Sequence, residues 1–120
     1  MKIIFITGVS GTMGSEALKQ IAQTGAFRCR VLLRPKKANI KLAKKLQKNE
    51  NIEVLFGDIQ NYEDCLAGVK DADYVLHCAA IIPPAADHNH DAAFRTNWLG
   101  TQNLLNAVVE NGQIEKTKFV

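Results

Sequence analysis

The 120-residue sequence predicts an α/β fold: a doubly wound parallel sheet of about four to five strands with helices on both faces. Three observations predict it. Short, near-continuous apolar runs recur along the chain, as strands buried on both faces require. Segments with apolar residues at helical spacing separate them, which suits parallel strands joined by right-handed crossovers. The first of these connections is glycine-rich, and no repeat or low-complexity segment interrupts the alternation.

Lys2–Thr7 is a β-branched and aromatic run that stops at Gly8 and reads as the first strand. Thr12–Thr24 places Met13, Ala17, Leu18, Ile21 and Ala22 at helical spacing, with Gly25 as its stop. Arg28–Leu33 is the second strand, closed by Arg34-Pro35 because proline has no amide to donate. Over Lys36–Asn49, Ala38, Leu42, Ala43 and Leu46 form a narrow apolar stripe beneath a lysine-covered surface, with Ile40 to one side. Ile52–Phe56 is a third strand ending at Gly57-Asp58, and Asn61–Val69 a short helix with Tyr62, Cys65, Leu66 and Val69 inward. Asp73–Cys78 is the fourth strand, and Ala79–His90, which holds Pro83-Pro84, a loop. Asp91–Asn111 is one long helix carrying Ala92, Phe94, Leu99, Leu104, Leu105, Val108 and Val109, stopped at Gly112. Lys118-Phe119-Val120 opens a fifth strand, which leaves the fourth with little cover.

With 47% hydrophobic residues the chain can bury one core, so a single domain over residues 1–120 is expected. Net charge is +3, but seven of the fifteen basic residues (Arg34, Lys36, Lys37, Lys41, Lys44, Lys45, Lys48) fall in a fifteen-residue stretch without an acid. The remainder carries eight bases and twelve acids. A nucleic-acid partner is therefore not expected, whereas a local anion site is. Phe94 and Trp98 read as packing residues, since the interleaved aromatic and basic strands of RNA binders are missing. No apolar run approaches the roughly 18–20 residues of a membrane span, and the opening run breaks at Gly8, too early for a signal peptide. A cytoplasmic protein without a membrane partner is expected.

Cys29, Cys65 and Cys78 are odd in number and widely spaced, so each reads as a small buried hydrophobe rather than a disulfide or zinc ligand. His88-Asn89-His90 lacks a third ligand at suitable spacing and reads as loop, so no metal is expected. His77 reads as a hydrogen-bonded core histidine rather than a catalytic base.

Thr7-Gly8-Val9-Ser10-Gly11-Thr12-Met13-Gly14 lies between the first strand and the first helix, and that context gives its glycine spacing meaning. Gly8 makes the turn out of the strand, Gly11 leaves room for a pyrophosphate against the backbone, and Gly14 lets helix and strand pack closely. Unpaired amides at the helix start then face the anion, aided by a dipole contribution of about 0.3–1 kcal/mol. The competing reading is a glycine-rich connection with no ligand. A triphosphate loop would need Gly-Lys-Ser or Gly-Lys-Thr, and neither occurs.

Further motifs follow in order: Gly57-Asp58-Ile59 after the third strand, His77-Cys78-Ala79-Ala80 after the fourth, and Asn97-Trp98-Leu99-Gly100-Thr101-Gln102-Asn103-Leu104-Leu105 on the long helix. Over nearly its whole length the chain thus resembles the extended branch of the short-chain dehydrogenase/reductase superfamily, which contains nucleotide-sugar epimerases, dehydratases and related reductases. The resemblance implies a Rossmann domain in which Gly8, Gly11 and Gly14 hold a nicotinamide dinucleotide's pyrophosphate, with Ser10, Thr12 and Met13 beside it. It implies that Asp58 bonds the adenine amino group, that Ile59 covers the ring, and that Cys78, Ala79 and Ala80 pass near the ribose on the nicotinamide side. Asn97 corresponds to a family asparagine that shapes the sheet near the catalytic centre. By sequence alone, Asp58 can also be a turn or cap residue, and Asn97 an exposed helix residue.

In a dinucleotide fold the residue ending the second strand, about 20 positions past the last glycine, meets the adenosine ribose, and an acid there repels a 2′-phosphate. Here it is Arg34, with Lys36 and Lys37 beside it and no acid until Glu50. A charge-assisted bond is worth roughly 1.5–3 kcal/mol, so NADP is expected over NAD. Lys41, Lys44, Lys45 and Lys48 read as a solvated helix face.

The family's hydride chemistry needs a tyrosine with a lysine four residues on. Tyr62 is followed there by Leu66 and Tyr74 by Cys78, so no catalytic residue is assigned and the chain alone should not turn over substrate. Two expectations stay open. The chain is the cofactor-binding half of a longer NADP-dependent oxidoreductase or epimerase whose missing part binds a small-molecule substrate, or it is a dinucleotide sensor or subunit module. The bare edge at Asp73–Cys78 and unburied helix faces are expected to drive self-association.

Overall fold

The structure, a computed structural model, describes residues 1–79 and 88–120. Its elements are β1 (Lys2–Thr7), α1 (Thr12–Thr24), β2 (Phe27–Leu33), α2 (Lys37–Leu46), β3 (Ile52–Phe56), α3 (Tyr62–Val69), β4 (Tyr74–His77), α4 (His90–Phe94), a π-helical segment (Arg95–Gly100), α5 (Thr101–Glu110) and β5 (Lys118–Phe119). All strand pairs are parallel, in the order β3-β2-β1-β4-β5. The chain therefore winds outward from β1 in both directions. The strand order reverses between β1 and β4, and the carboxyl ends there open a crevice.

Alternation along β1 divides the interior into two cores. Phe5 packs on one face with Cys65, Val69, Val75, Leu104 and Ala107 from β4 and the helices α3 and α5. Ile4 and Ile6 pack on the other with Leu18, Val31, Leu33 and Ala43. The central strand is thus buried on both sides, as its unbroken apolar run implies.

Helix α2 departs from the expected stripe. Ala38 is exposed and Asn39 is buried, so the inward face is Asn39, Leu42, Ala43 and Leu46. A polar residue occupies the inward position because its Nδ2 donates to the Arg34 carbonyl at 2.9 Å, closing the turn out of β2. In α1, Met13 is exposed and Gly14 is buried in its place.

The expected single long helix is interrupted. A π-helical turn holds about one residue more than an α-turn, so the inward face rotates as the chain passes Arg95–Gly100. Ala93, Gly100, Leu104, Ala107 and Val108 face in, while Leu99, Leu105 and Val109 are exposed, as are Phe94 and Trp98, which the sequence suggests as packing residues. Gly100 meets Ile59, whose Cδ1 would lie 2.5 Å from a Cβ there. The helix starts one residue earlier than expected, at His90, and Asn89 caps it by accepting from the Ala92 amide at 3.0 Å.

β4 is not the bare edge that the sequence suggests. β5 pairs with Tyr74 and Val75, and the His77 amide donates to the Val120 carbonyl at 2.9 Å. The edge strand is β5, only two residues long.

Candidate functional site

The crevice at the carboxyl ends has a volume of about 200 Å³. Thr7, Gly8, Ser10 and Gly11 line it from the end of β1, and Leu32, Leu33 and Arg34 from the end of β2. Gly57, Asp58, Ile59 and Gln60 follow β3, Cys78 and Ala79 follow β4, and Asn39 and Thr96 complete it from the helices.

The glycine turn is built as its spacing suggests. Gly8 sits at φ +78, and a Cβ on it would lie 2.6 Å from Ala79 N. A Cβ on Gly14 would overlap the Gly8 carbonyl oxygen, so α1 abuts the turn with no room for a side chain. At Gly11, which lines the crevice, an added Cβ meets only Gly8 O, at 3.4 Å. Gly11 is also the N-cap and offers no side-chain acceptor, in contrast to Asn61, whose carboxamide accepts from the Asp64 amide at the start of α3. Among the described residues the Thr12, Met13 and Gly14 amides have no hydrogen-bond acceptor; the first amide of α1 to find one is Ser15, on Gly11 O at 3.0 Å. Oriented donors without acceptors at a helix start hold an anion.

Across the crevice, the Asp58 carboxylate accepts from the Gln60 amide at 2.9 Å, and the Asp58 amide donates to Asp64 at 3.0 Å. Asp58 is therefore a turn residue as well as part of the wall, and the cap of α3 is Asn61. Ile59 is mostly buried against Gly100, which leaves only its edge for a ligand. The Arg34 guanidinium has no ion-pair partner among the described residues, so its charge is available to a ligand.

Eight of the expected residues come together here: Gly8, Ser10, Gly11, Arg34, Asp58, Ile59, Cys78 and Ala79. Thr12, Met13, Gly14, Lys37 and Asn97 do not line the crevice. Gly14 acts from behind the turn, while Lys37 and Asn97 are exposed on their helices. Ala80 lies outside the described residues. Sequence reading missed Thr7, Leu32, Leu33, Asn39, Gly57, Gln60 and Thr96. The strand-end positions could have been found from the strand order, but Asn39 and Thr96 carry no local signal.

Burial favours the neutral forms of the thiols and the imidazole nearby. Burial raises the Cys78 thiol pKa. Burial, then the charges of Asp64 and Asp58, push Cys65 up to about 12. Burial lowers the His77 pKa, and its two ring nitrogens meet Thr7 and Thr101. Neither tyrosine lines the crevice: Tyr62 donates to Glu110 at 3.1 Å and Tyr74 packs edge-on against Phe27. The crevice thus offers backbone amides and one free cation but no activated nucleophile among the described residues. No group of three potential metal ligands occurs among them, and no helix there is long and apolar enough to cross a membrane.

Comparison with known proteins agrees with this geometry. The chain is 30% identical over 116 residues to an uncharacterized membrane protein of Methanocaldococcus jannaschii, covering 96% of this chain and 34% of that one. It is 30% identical over 120 residues to a UDP-N-acetylglucosamine 4,6-dehydratase (inverting) of Campylobacter jejuni, covering 92% of this chain and 34% of that one. Among solved structures it resembles the UDP-glucuronic acid 4-epimerase of Bacillus cereus, in complex with UDP-glucuronic acid and NAD, with TM-score 0.74 and 27% identity over 90% of this chain and 36% of that one. The chain spans about a third of the length of these relatives. A family model described as polysaccharide biosynthesis protein matches residues 4–120, and the chain belongs to that family and, with its epimerase and dehydratase relatives, to the extended short-chain dehydrogenase/reductase superfamily.

Proposed function

We propose that residues 1–120 form the nicotinamide-dinucleotide-binding domain of an NAD(P)-dependent oxidoreductase of the epimerase/dehydratase kind, the whole protein acting on a sugar-nucleotide or a related carbonyl or alcohol substrate. One observation carries the reading: an uncapped helix start, walled by glycine and open to the crevice at the β1/β4 switch point. Gly8, Ser10 and Gly11 hold the pyrophosphate with the Thr12 and Met13 amides, and Gly14 keeps α1 close enough for them to reach it. Asp58 bonds the adenine amino group, the edge of Ile59 covers the ring, and Cys78, Ala79 and Ala80 flank the second ribose. Asn97 supports the wall from the π-helical segment. When bound, the dinucleotide supplies the hydride chemistry; this chain binds and orients it.

The B. cereus epimerase was solved with NAD. Arg34 nevertheless favours the 2′-phosphate here, because a free guanidinium ends β2 where an acid would select the ribose hydroxyls, and Lys37 adds charge beside it. Calorimetric titration of the chain with both dinucleotides is expected to show tighter uptake of NADP. Arg34→Asp should weaken NADP by about ten- to a hundredfold and tighten NAD, because the new carboxylate accepts from the ribose hydroxyls. An unaltered preference removes Arg34 from the recognition of the cofactor, and no saturable uptake of either dinucleotide defeats the reading as a whole.

The proposal includes a cytoplasmic setting, in line with three free thiols, and self-association through the exposed Phe94, Trp98 and Val109. Light scattering at high concentration reads the association, and a strictly monomeric solution would remove it. Because neither tyrosine lines the crevice, turnover by this chain alone should be undetectable.

A further inference from the structure

Thr7 is 1% exposed yet carries a hydroxyl, and its partners define the chemistry around it. Thr7 Oγ1 accepts from the Cys78 amide at 3.1 Å, which it shares with the Thr7 carbonyl at 3.2 Å, and from the Ala79 amide at 3.2 Å. Both lone pairs are then used, so its proton is donated to the remaining neighbour, His77 Nδ1, at 2.7 Å. His77 Nε2 lies 3.0 Å from Thr101 Oγ1, whose own proton goes to the Asn97 carbonyl at 2.8 Å. Thr101 must therefore accept from Nε2. A single proton arrangement satisfies every partner: a neutral imidazole with its proton on Nε2 and Nδ1 bare.

The two amides held by Thr7 belong to the crevice wall against which Gly8 turns, since a Cβ on Gly8 would lie 2.6 Å from both Ala79 N and Cys78 C. We propose that His77 is a positioning residue: by accepting the Thr7 proton it fixes the spacing between the Gly8 turn and the Cys78–Ala79 strand end, and so the shape of the floor that takes the pyrophosphate. The consequence for affinity rests on dinucleotide binding by this crevice.

Acid should loosen the clamp. Protonation of Nδ1 sets a second donor against a hydroxyl whose lone pairs are taken. The ring is packed by Thr7 from β1, Thr101 from α5, Phe119 from β5 at 6.2 Å and Cys78 along its own chain. Of these only Cys78 titrates, and burial keeps its thiol protonated. Burial alone lowers the imidazole pKa in the fold, below the unfolded value of about 6.5. The neutral ring's contribution is whole above that value and is lost as pH falls from about 6.5 through the folded pKa.

Two variants separate the ties. Asparagine places a carboxamide oxygen near the Nδ1 position, so His77→Asn keeps the bond from Thr7 and drops the one to Thr101. Glutamine reaches the Nε2 position, so His77→Gln does the reverse. The full chain is titrated with NADP and NAD, and amide exchange at Cys78 and Ala79 is followed by NMR without ligand. His77→Asn is expected to keep both amides protected and to bind within about threefold of wild type. His77→Gln should lose the protection of Ala79, while Cys78, which also donates to the Thr7 carbonyl, stays protected as an internal control, and should bind about tenfold more weakly, the scale of one buried hydrogen bond. Equal behaviour of the two variants overturns the proposal, as does a wild-type nitrogen spectrum with the proton on Nδ1. Should wild type take up neither dinucleotide, the functional reading fails by itself, while amide protection still decides the role of His77.

Discussion

Gly14→Ala is expected to destabilise the fold by about 2–4 kcal/mol, as overpacking against rigid backbone does, and to abolish dinucleotide uptake with it. An alanine Cβ there overlaps the Gly8 carbonyl oxygen and crowds Val9 N at 3.0 Å. Both contacts are main chain, so no side chain can swing away and α1 itself must move off β1. Gly8→Ala should cost a similar amount for a second reason, because φ +78 is strained for any residue with a Cβ and the added carbon meets the end of β4. Gly11→Ala is the informative contrast. Its Cβ meets only Gly8 O, at 3.4 Å, so the variant should unfold at nearly the wild-type denaturant concentration while losing uptake of both dinucleotides. Urea unfolding beside calorimetry reads the two effects apart. If Gly11→Ala binds like wild type, the anion does not sit on that backbone.

Gln113→Leu is expected to lose about 2–4 kcal/mol, the scale of stranding buried polar partners, although it lies far along the chain from the crevice motifs. Gln113 is buried and its carboxamide joins several segments. Nε2 donates to Val69 O at 2.8 Å and to Thr117 Oγ1 at 2.9 Å, while Oε1 accepts from the Asp71 amide at 2.8 Å. Asp71 sits at φ +60, a conformation that a non-glycine residue holds only when its surroundings enforce it. Leucine fills the volume but strands the Asp71 amide and loosens the turn that delivers β5. Gln113→Glu keeps the size and an acceptor while losing the donor, and should be at least as damaging because it aims a carboxylate at the Val69 carbonyl. Denaturant midpoints measure the loss, and amide exchange at Lys118 to Val120 shows whether β5 detaches first. Wild-type stability in both variants would show that the carboxamide bonds contribute nothing.

Much of the site was legible because its signal is local. Glycine at residues 8, 11 and 14 has meaning only between a strand and a helix, and those elements follow from apolar periodicity in the same twenty-odd residues. Arg34 was found by counting, since the length of a βαβ unit sets where β2 ends. Asn39 and Thr96 were not found, because they reach the crevice from helices whose rotation about their own axes is settled by what they pack on. His77 was recognised as a satisfied core histidine, yet its partners Thr7 and Thr101 lie 70 and 24 residues away and leave no trace in the local pattern.

Element order, parallel pairing and the place of the glycine turn were fixed by the chain itself, because hydrophobic period and turn chemistry act over a few residues and need no partner to be read. Helix facing, the π-helical turn before Thr101, the cover of β4 by β5 and the proton arrangement at His77 were decided only by tertiary contact. The reason is physical: a glycine opposite Ile59, a carbonyl opposite Asn39 or a hydroxyl opposite an imidazole stabilises one arrangement over its neighbours only once the sheet has brought distant segments to within hydrogen-bonding or van der Waals reach.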